Sequence, residues 1–293
     1  MGTRHSPAVS YDEIFSRNLG VISREEQDRI ASARILLAGI GAEGGATATC
    51  LARLGFQRFR LADVDNFDVS NLNRQFGAYT DTVGLPKVQG LAHELRRINP
   101  LIEIDQVPEG VTPENAKRLV EDVECVVNGV DLFALDAARA LDQAAREAKL
   151  TIVGGASVGF RSDVYAYHPE GVGISQYIEK TFAAGRFPWI PADADLPSSA
   201  PAVLVREVIE RQIPAPVVAP AVFLTGARVA TLILRLVTGR GAPVYVPQYT
   251  TMDLVEMSTA TRPCFPDEVG YATRAQGDVG AMSSLSEAIS TAD

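Results

Sequence analysis

Residues 58–77 read RFRLADVDNFDVSNLNRQFG. The stretch starts as an apolar strand at 59–62. It then releases Asp63, Asp65 and Asp68, followed by Ser70, Asn71, Asn73, Arg74 and Gln75. A plain surface loop needs neither a strand that stops on an acid nor so many donors and acceptors. Upstream, Gly39-Ile40-Gly41-Ala42-Glu43-Gly44 forms a G-x-G-x-x-G between a strand-like and a helix-like run. In that context glycines let a phosphate approach the backbone at a helix N-terminus. Asp63, at the end of the next strand, could then hydrogen-bond a ribose. Downstream, Gly84-Leu85-Pro86-Lys87 puts Lys87 in the first turn of a helix. Two fixed cations, Arg74 and Lys87, near a glycine turn suit a polyphosphate whose charge grows during phosphoryl or nucleotidyl transfer. Asp131 closes a strand-like run at 125–130, where it could hold Mg²⁺ on phosphate oxygens. Each feature also has a plainer reading. The glycines could serve strand–helix packing alone, and Arg74 could pair with Asp65 or Asp68. Lys87 could be solvated, and Asp131 could cap the helix that follows.

A scaffold for these residues is visible in the alternation of segments. Residues 34–38, 59–62, 102–107, 125–130 and the run beginning at 151–153 read as strands. Residues 46–54, 87–99 and 135–149 read as helices; in the second, Val88, Leu91, Leu95 and Ile98 fall on one face. Asn99-Pro100 ends that helix, and Thr112-Pro113-Glu114 starts another. The alternation implies a Rossmann-like α/β fold, a doubly wound, mostly parallel sheet with helices on both faces. Antiparallel strands extend it in the C-terminal half. Residues 162–168 alternate as an antiparallel edge strand would. Residues 185–220 are rich in proline and alanine and read as a crossing loop around a short helix at 203–211. Residues 223–237 are apolar nearly all round, which predicts a buried helix. Residues 244–255 form a last strand or hairpin. The expected organisation is a helical segment at 1–32, a nucleotide-binding (adenylation) domain at 33–260 and a tail at 261–293 that frays from 275 onward.

Composition narrows the classes. The 293 residues are 46% hydrophobic with a net charge of −9 and no long basic run, which disfavours broad contact with nucleic acid or anionic membrane. Three scattered cysteines, Cys50, Cys125 and Cys264, give neither a disulfide framework nor a Cys-x-x-Cys zinc pair. The first residues lack an apolar signal core, and no segment reaches roughly 18 uninterrupted apolar residues. A soluble, cytoplasmic protein is the expectation. His93 reads as solvated and His168 as a turn residue. Trp189 could line a substrate mouth or anchor its loop.

The chain resembles the ThiF/MoeB/HesA superfamily, bacterial relatives of ubiquitin-activating enzymes, over about residues 11–255. The resemblance rests on Arg17 in FSRNLG, GIGAEG at 39–44, DVDNFDVSNLNRQ at 63–75 and GLPK at 84–87. RINP at 97–100, Asp131 and VVAPAVFLTGARVA at 217–230 complete it. It implies ATP and Mg²⁺ as cofactors and adenylation of a carboxylate by a homodimer. Asp63 would hold the ribose; Asn71, Arg74 and Lys87 the phosphates; Asp131 the metal. Gly39, Gly41, Gly44, Asp65, Ser70, Asn73 and Gln75 would complete the nucleotide pocket. Arg17 would reach into the partner's site. Implied partners are a carboxylate-bearing small molecule, peptide or modified nucleoside, with a ubiquitin-like carrier protein as a further candidate.

Several positions depart from the family pattern. Ala42 and Glu43 interrupt the usual GxGGxG, and a carboxylate at 43 repels phosphate unless it points away or binds the metal. Leu132 stands where a polar residue commonly follows the aspartate. The zinc cysteines are missing, as is the cysteine expected shortly before the Val-x-Ala-Pro segment. An acyl-adenylate needs no protein nucleophile, only alignment and positive charge, so these losses leave its chemistry possible and remove a thioester step. Two rival readings remain open: an NAD- or FAD-binding oxidoreductase, and an adenylation-defective scaffold.

Overall fold

The computed structural model describes residues 10–131, 133–190 and 201–265. Two short helices open it, α1 (Tyr11–Ile14) and α2 (Arg24–Ser32). Each starts at a serine that accepts the amide of a glutamate three residues on, while that glutamate accepts the serine's own N–H. The reciprocal bonds satisfy amides that a helix start leaves free. Strands and helices then alternate: β1 (Arg34–Ala38), α3 (Ala42–Leu54), β2 (Arg58–Ala62), α4 (Lys87–Ile98), β3 (Glu103–Val107), α5 (Ala116–Leu119), β4 (Cys125–Asn128), α6 (Leu135–Glu147) and β5 (Ile152–Val158). β6 (Arg161–Tyr167), α7 (Ile174–Ala183), α8 (Ala202–Ile209), α9 (Ala219–Thr238), β7 (Gln248–Asp253) and β8 (Ser258–Pro263) follow.

The eight strands form one sheet in the order β3-β2-β1-β4-β5-β6-β7-β8. The pairings from β3 to β5 are parallel, and those from β5 to β8 are antiparallel. β1 alternates its side chains between two cores. Ile35 and Leu37 pack with α3, α4 and α9; Leu36 and Ala38 pack with α5 and α6. That alternation is the period of a strand buried on both faces. Ala38 lies beside Ala62 on one side and Asn128 on the other, so β1, β2 and β4 end level. The strand order reverses between β1 and β4, which opens a crevice beyond their carboxyl ends.

Three sequence expectations change. The 162–168 strand is no edge: β6 runs between β5 and β7 and is buried along its whole length. Its polar residues are tolerated because they are partnered inside. Arg161 pairs with Asp163 at 3.0 Å, and Arg228 of α9 donates to Ser162 Oγ at 2.9 Å. The helix expected from 112 begins at Ala116. Thr112 and Asn115 instead exchange hydrogen bonds that close a turn. The helix expected to be buried all round, α9, hides one face only. Ala221, Val222, Thr225, Gly226, Val229, Ala230 and Ile233 are covered, while Phe223 is exposed.

α9 is long and apolar enough to cross a bilayer, yet it packs here on α3 and β5. A Cβ on Gly226 would fall 2.4 Å from Ala46 Cβ, so glycine is what permits that crossing. Ordered sheet continues past residue 260 through β8, and Cys264 and Phe265 are buried. The expected fraying from 275, residues 191–200 of the crossing loop, and Leu132 lie outside the described residues.

Candidate nucleotide and acyl site

The three glycines of the first turn do different things. Gly39 has φ +84, and a Cβ there would sit 2.0 Å from the Gly129 carbonyl oxygen. A Cβ on Gly44 would sit 2.1 Å from the Gly39 carbonyl oxygen. Both positions therefore serve the packing of β1, β4 and α3. Gly41 is open: the nearest atoms to its built Cβ are Gln75 Nε2 at 3.7 Å and Lys87 Nζ at 3.9 Å. It is the point where a ligand can touch the backbone, just ahead of the α3 N-terminus.

Asp63 is 9% exposed and locks this turn in place. Its Oδ2 accepts the Ile40 N–H at 2.7 Å, and its Oδ1 accepts the Asp65 N–H at 2.9 Å. Burial pushes its carboxyl up; the Lys87 charge and the two amides oppose this. Asp65 accepts the Lys87 backbone N–H through its carbonyl and Lys87 Nζ at 2.7 Å through Oδ2. The pair is unequal. The Lys87 side chain is 8% exposed and that of Asp65 61%. Lys87 is thus a cation sunk beside Gly41, and the solvated reading is excluded. Gln75 turns an amide toward the same point, and its Oε1 is buried without a hydrogen-bond partner.

The middle of the opening stretch mostly builds itself. Asp68 accepts the Ser70 N–H, and Asn71 returns a bond to the Asp68 N–H, closing a turn at Val69–Asn71. Ser70 is exposed there and gives its carbonyl to Arg74 Nη1. Asn73 accepts a second bond from Arg74 Nη1 at 2.8 Å and donates to the Val217 carbonyl at 3.2 Å. Arg74 therefore pairs with neither Asp65 nor Asp68, and its Nε is buried without a partner. Among the described residues, unpaired donors and acceptors and one buried cation gather at the glycine turn. That set fits a phosphate chain.

Asp131 is exposed beyond β4, with Oδ1 accepting the Phe133 N–H at 2.8 Å. It caps a turn rather than α6, which starts at Leu135. No group of three or more metal-ligating side chains occurs among the described residues. A single carboxylate plus phosphate oxygens is nonetheless how Mg²⁺ is commonly held.

Arg17 lies elsewhere. Its neighbour Asn18 donates to the Leu54 carbonyl, and Tyr11 donates to the Gly55 carbonyl, so this segment covers the C-terminal end of α3. The glycine turn is at the other end of a 13-residue helix, about 18 Å away at 1.5 Å per residue. Arg17 is exposed and, among the described residues, has no hydrogen-bond or ion-pair partner. It cannot serve the glycine turn of its own chain.

Glu43 turns toward β5. Its carboxyl is hydrogen-bonded to Ser157 of β5 and faces a cavity of about 210 Å³. Burial pushes this carboxyl up, while Ser157 and the Arg74 charge pull it down. Trp189, Val205 and Val208 line the same cavity. Trp189 also donates its indole N–H to Tyr167, so it is wall and anchor at once. Ser157 carried no sequence signal; only the fold brings β5 to the start of α3. The cysteines are poor nucleophiles. Cys125 and Cys264 are buried and both thiols are pushed up to about 12 by burial.

A doubly wound sheet with a glycine turn at its switch point and a buried lysine beside it is the architecture of a phosphate-binding α/β protein. Residues 15–269 match the ThiF family, and the chain belongs to it. It is 38% identical over 102 residues to tRNA threonylcarbamoyladenosine dehydratase of Escherichia coli (strain K12), covering 34% of this chain and 38% of that one. It is 30% identical over 163 residues to molybdopterin-synthase adenylyltransferase of Salmonella typhimurium (strain LT2), covering 54% of this chain and 65% of the relative. The matches thus span less than two thirds of these relatives' lengths. Among solved structures, Escherichia coli MccB superposes with a TM-score of 0.67 at 17% identity, covering 86% of this chain and 70% of that one. PaaA superposes with 0.65 at 19% identity, covering 90% and 77%. At these identities the likeness is one of fold.

Proposed function

We propose that this protein uses ATP and Mg²⁺ to adenylate a carboxylate, releasing pyrophosphate, and hands the acyl group to a nucleophile that is not its own cysteine. The observation that carries this reading is Lys87, buried beside the open Gly41 with a solvated aspartate as its described partner. A cation so placed meets the phosphates of a nucleotide at the α3 N-terminus. The relatives named as adenylyltransferases support the same chemistry.

In this reading Asp63 and Asp65 take the ribose side, and Asn71, Asn73, Arg74, Gln75 and Lys87 the phosphates. Asp131 holds the metal. A substrate carboxylate oxygen attacks the α-phosphorus, and the bond to pyrophosphate breaks. AMP then replaces oxide as the leaving group, and positive charge on the phosphates lowers the barrier. Arg17, about 18 Å from its own turn, acts on the site of a second copy. The exposed face of α9, with Phe223, is a candidate contact for that copy.

The test is calorimetric titration with ATP–Mg²⁺ and with NAD, followed by ATP–pyrophosphate exchange across a panel of carboxylates. ATP binding with substrate-dependent exchange supports the proposal. NAD binding without ATP binding returns the oxidoreductase reading, and ATP binding with no exchange returns the scaffold reading.

A further inference from the structure

The cavity beside the glycine turn has an unusual lining. Its walls are apolar: Val158, Leu204, Val205, Val208 and the ring of Trp189. Glu43 is its one ionisable residue. Glu43 stands in the first turn of α3, two residues after Gly41, the open backbone that would meet a phosphate. Its carboxyl is fixed from one side by Ser157, whose hydroxyl lies 3.1 Å from that of Thr225. Thr225 in turn donates to the Ala221 carbonyl at 2.9 Å. The chain of bonds runs into α9; the Ser157 and Glu43 backbone and the Arg74 charge also act on the carboxyl, and Glu43 lines the cavity. The volume is below the ~300–1,000 Å³ of pockets for drug-sized ligands, so it admits one side-chain-sized group.

Apolar walls would be served by any acyl group. A carboxyl set among them, next to a polyphosphate, is matched better by a guest that donates to it than by one that does not. Substrate acid and ATP are both anionic and offer it no donor. The complementary guest carries an apolar body and, close to its own reacting carboxylate, an N–H donor of positive charge. An aminoacyl group has that pattern: side chain, ammonium and carboxylate on one carbon.

We infer that Glu43 is a specificity-determining residue that reads the ammonium of an amino-acid substrate whose apolar side chain fills the cavity. The inference rests on the adenylation reading for what happens to the carboxylate, but not for the binding of an amine. This carboxylate sits in the glycine turn, yet its side chain turns toward Ser157 of β5.

The experiment uses the full chain and simple probes. 3-Methylbutylamine and 3-methylbutanol share an apolar body and differ in the head group. Calorimetry or ligand-observed NMR should show the amine bound more tightly by about 10- to 100-fold, the span of one charge-assisted hydrogen bond. In Glu43→Gln, matched in shape, the preference should fall to within about 2-fold. Val205→Trp, which fills the cavity, should abolish binding of both probes while ATP affinity stays within about 2-fold. Circular dichroism confirms that both variants are folded. Equal binding of the two probes to the natural protein overturns the inference, as does amine binding that survives both substitutions, or no amine binding at 50-fold the concentration range of ATP binding. Amine binding of the expected pattern without any ATP binding would instead sink the adenylation reading and leave this one standing.

Discussion

Replacing Lys87 with methionine separates the two jobs this residue could have. Its Nζ is 2.7 Å from Asp65 Oδ2, but the Asp65 side chain is 61% exposed and can return to water. An ion pair with one exposed member contributes about 0–1 kcal/mol. Methionine keeps a stem of similar length in the buried slot and removes an ammonium that was expensive to bury. Fold stability should therefore change by less than about 1 kcal/mol, or roughly 2–4 °C in a domain of this size. Losing one positioned electrostatic group from the transition state costs far more, about 2–4 kcal/mol. In kcat/KM that is a factor of about 30 to 1,000. Thermal melts and ATP–pyrophosphate exchange on the same preparation read the two effects side by side. A variant that melts about 10 °C lower yet binds ATP and exchanges normally would refute the reasoning. Lys87 would then be a strut for Asp65 and no more.

Three further outcomes are expected. Mixing Arg17→Ala chains with Lys87→Ala chains should restore part of the activity once subunits exchange, because some mixed sites regain both groups; exchange without recovery removes Arg17 from the site. Replacing Cys50, Cys125 and Cys264 by serine should leave full turnover, since two of the thiols are pushed up to about 12 and carry no thiolate near neutrality; a stall after pyrophosphate release points to a thioester instead. Glu43 should make stability pH-dependent in a defined direction. Its folded carboxyl is raised above the ordinary 4.5, so its contribution is full below that pH and is lost as pH rises through the raised value. Glu43→Gln should thus gain on the natural protein in melting temperature from about pH 4.5 upward, and a constant difference across that range would contradict it.

What was legible in the sequence is what local chemistry dictates. β1 and β2 announce themselves because apolar runs are cut off by glycine or aspartate. The start of α4 at Lys87 follows from a proline ahead of it and a one-faced apolar pattern behind it. The placement of β6 was missed because alternation marks a half-solvated strand only if no buried partner exists, and Arg228, 66 residues from Ser162, supplies one. The face that α9 exposes was hidden for a similar reason. Its composition is apolar throughout, and only the Gly226–Ala46 contact fixes which side is covered. At the site, the residue types at 63–75 suggested ligand contacts, but not that part of the stretch also builds its own loop, as Asp68 and Asn71 do for each other. The orientation of Glu43 depends on Ser157, more than a hundred residues away, and no spacing could reveal it.

Val217 joins two regions that are otherwise separate. Its carbonyl accepts the Asn73 side chain, and its backbone bridges to Gly159, while its side chain lines the cavity. Asn73 in turn holds Arg74. In the reading proposed above, a nucleotide that draws Arg74 toward its phosphates pulls on a wall of the cavity through a two-bond linkage. Linkage is symmetrical, so a guest in the cavity must alter nucleotide affinity by the same factor that the nucleotide alters affinity for the guest. In the adenylation reading, that factor is the ratio of ATP affinities with and without a guest in the cavity, and cutting the linkage with Asn73→Ala should bring the ratio to one even as it weakens ATP binding itself.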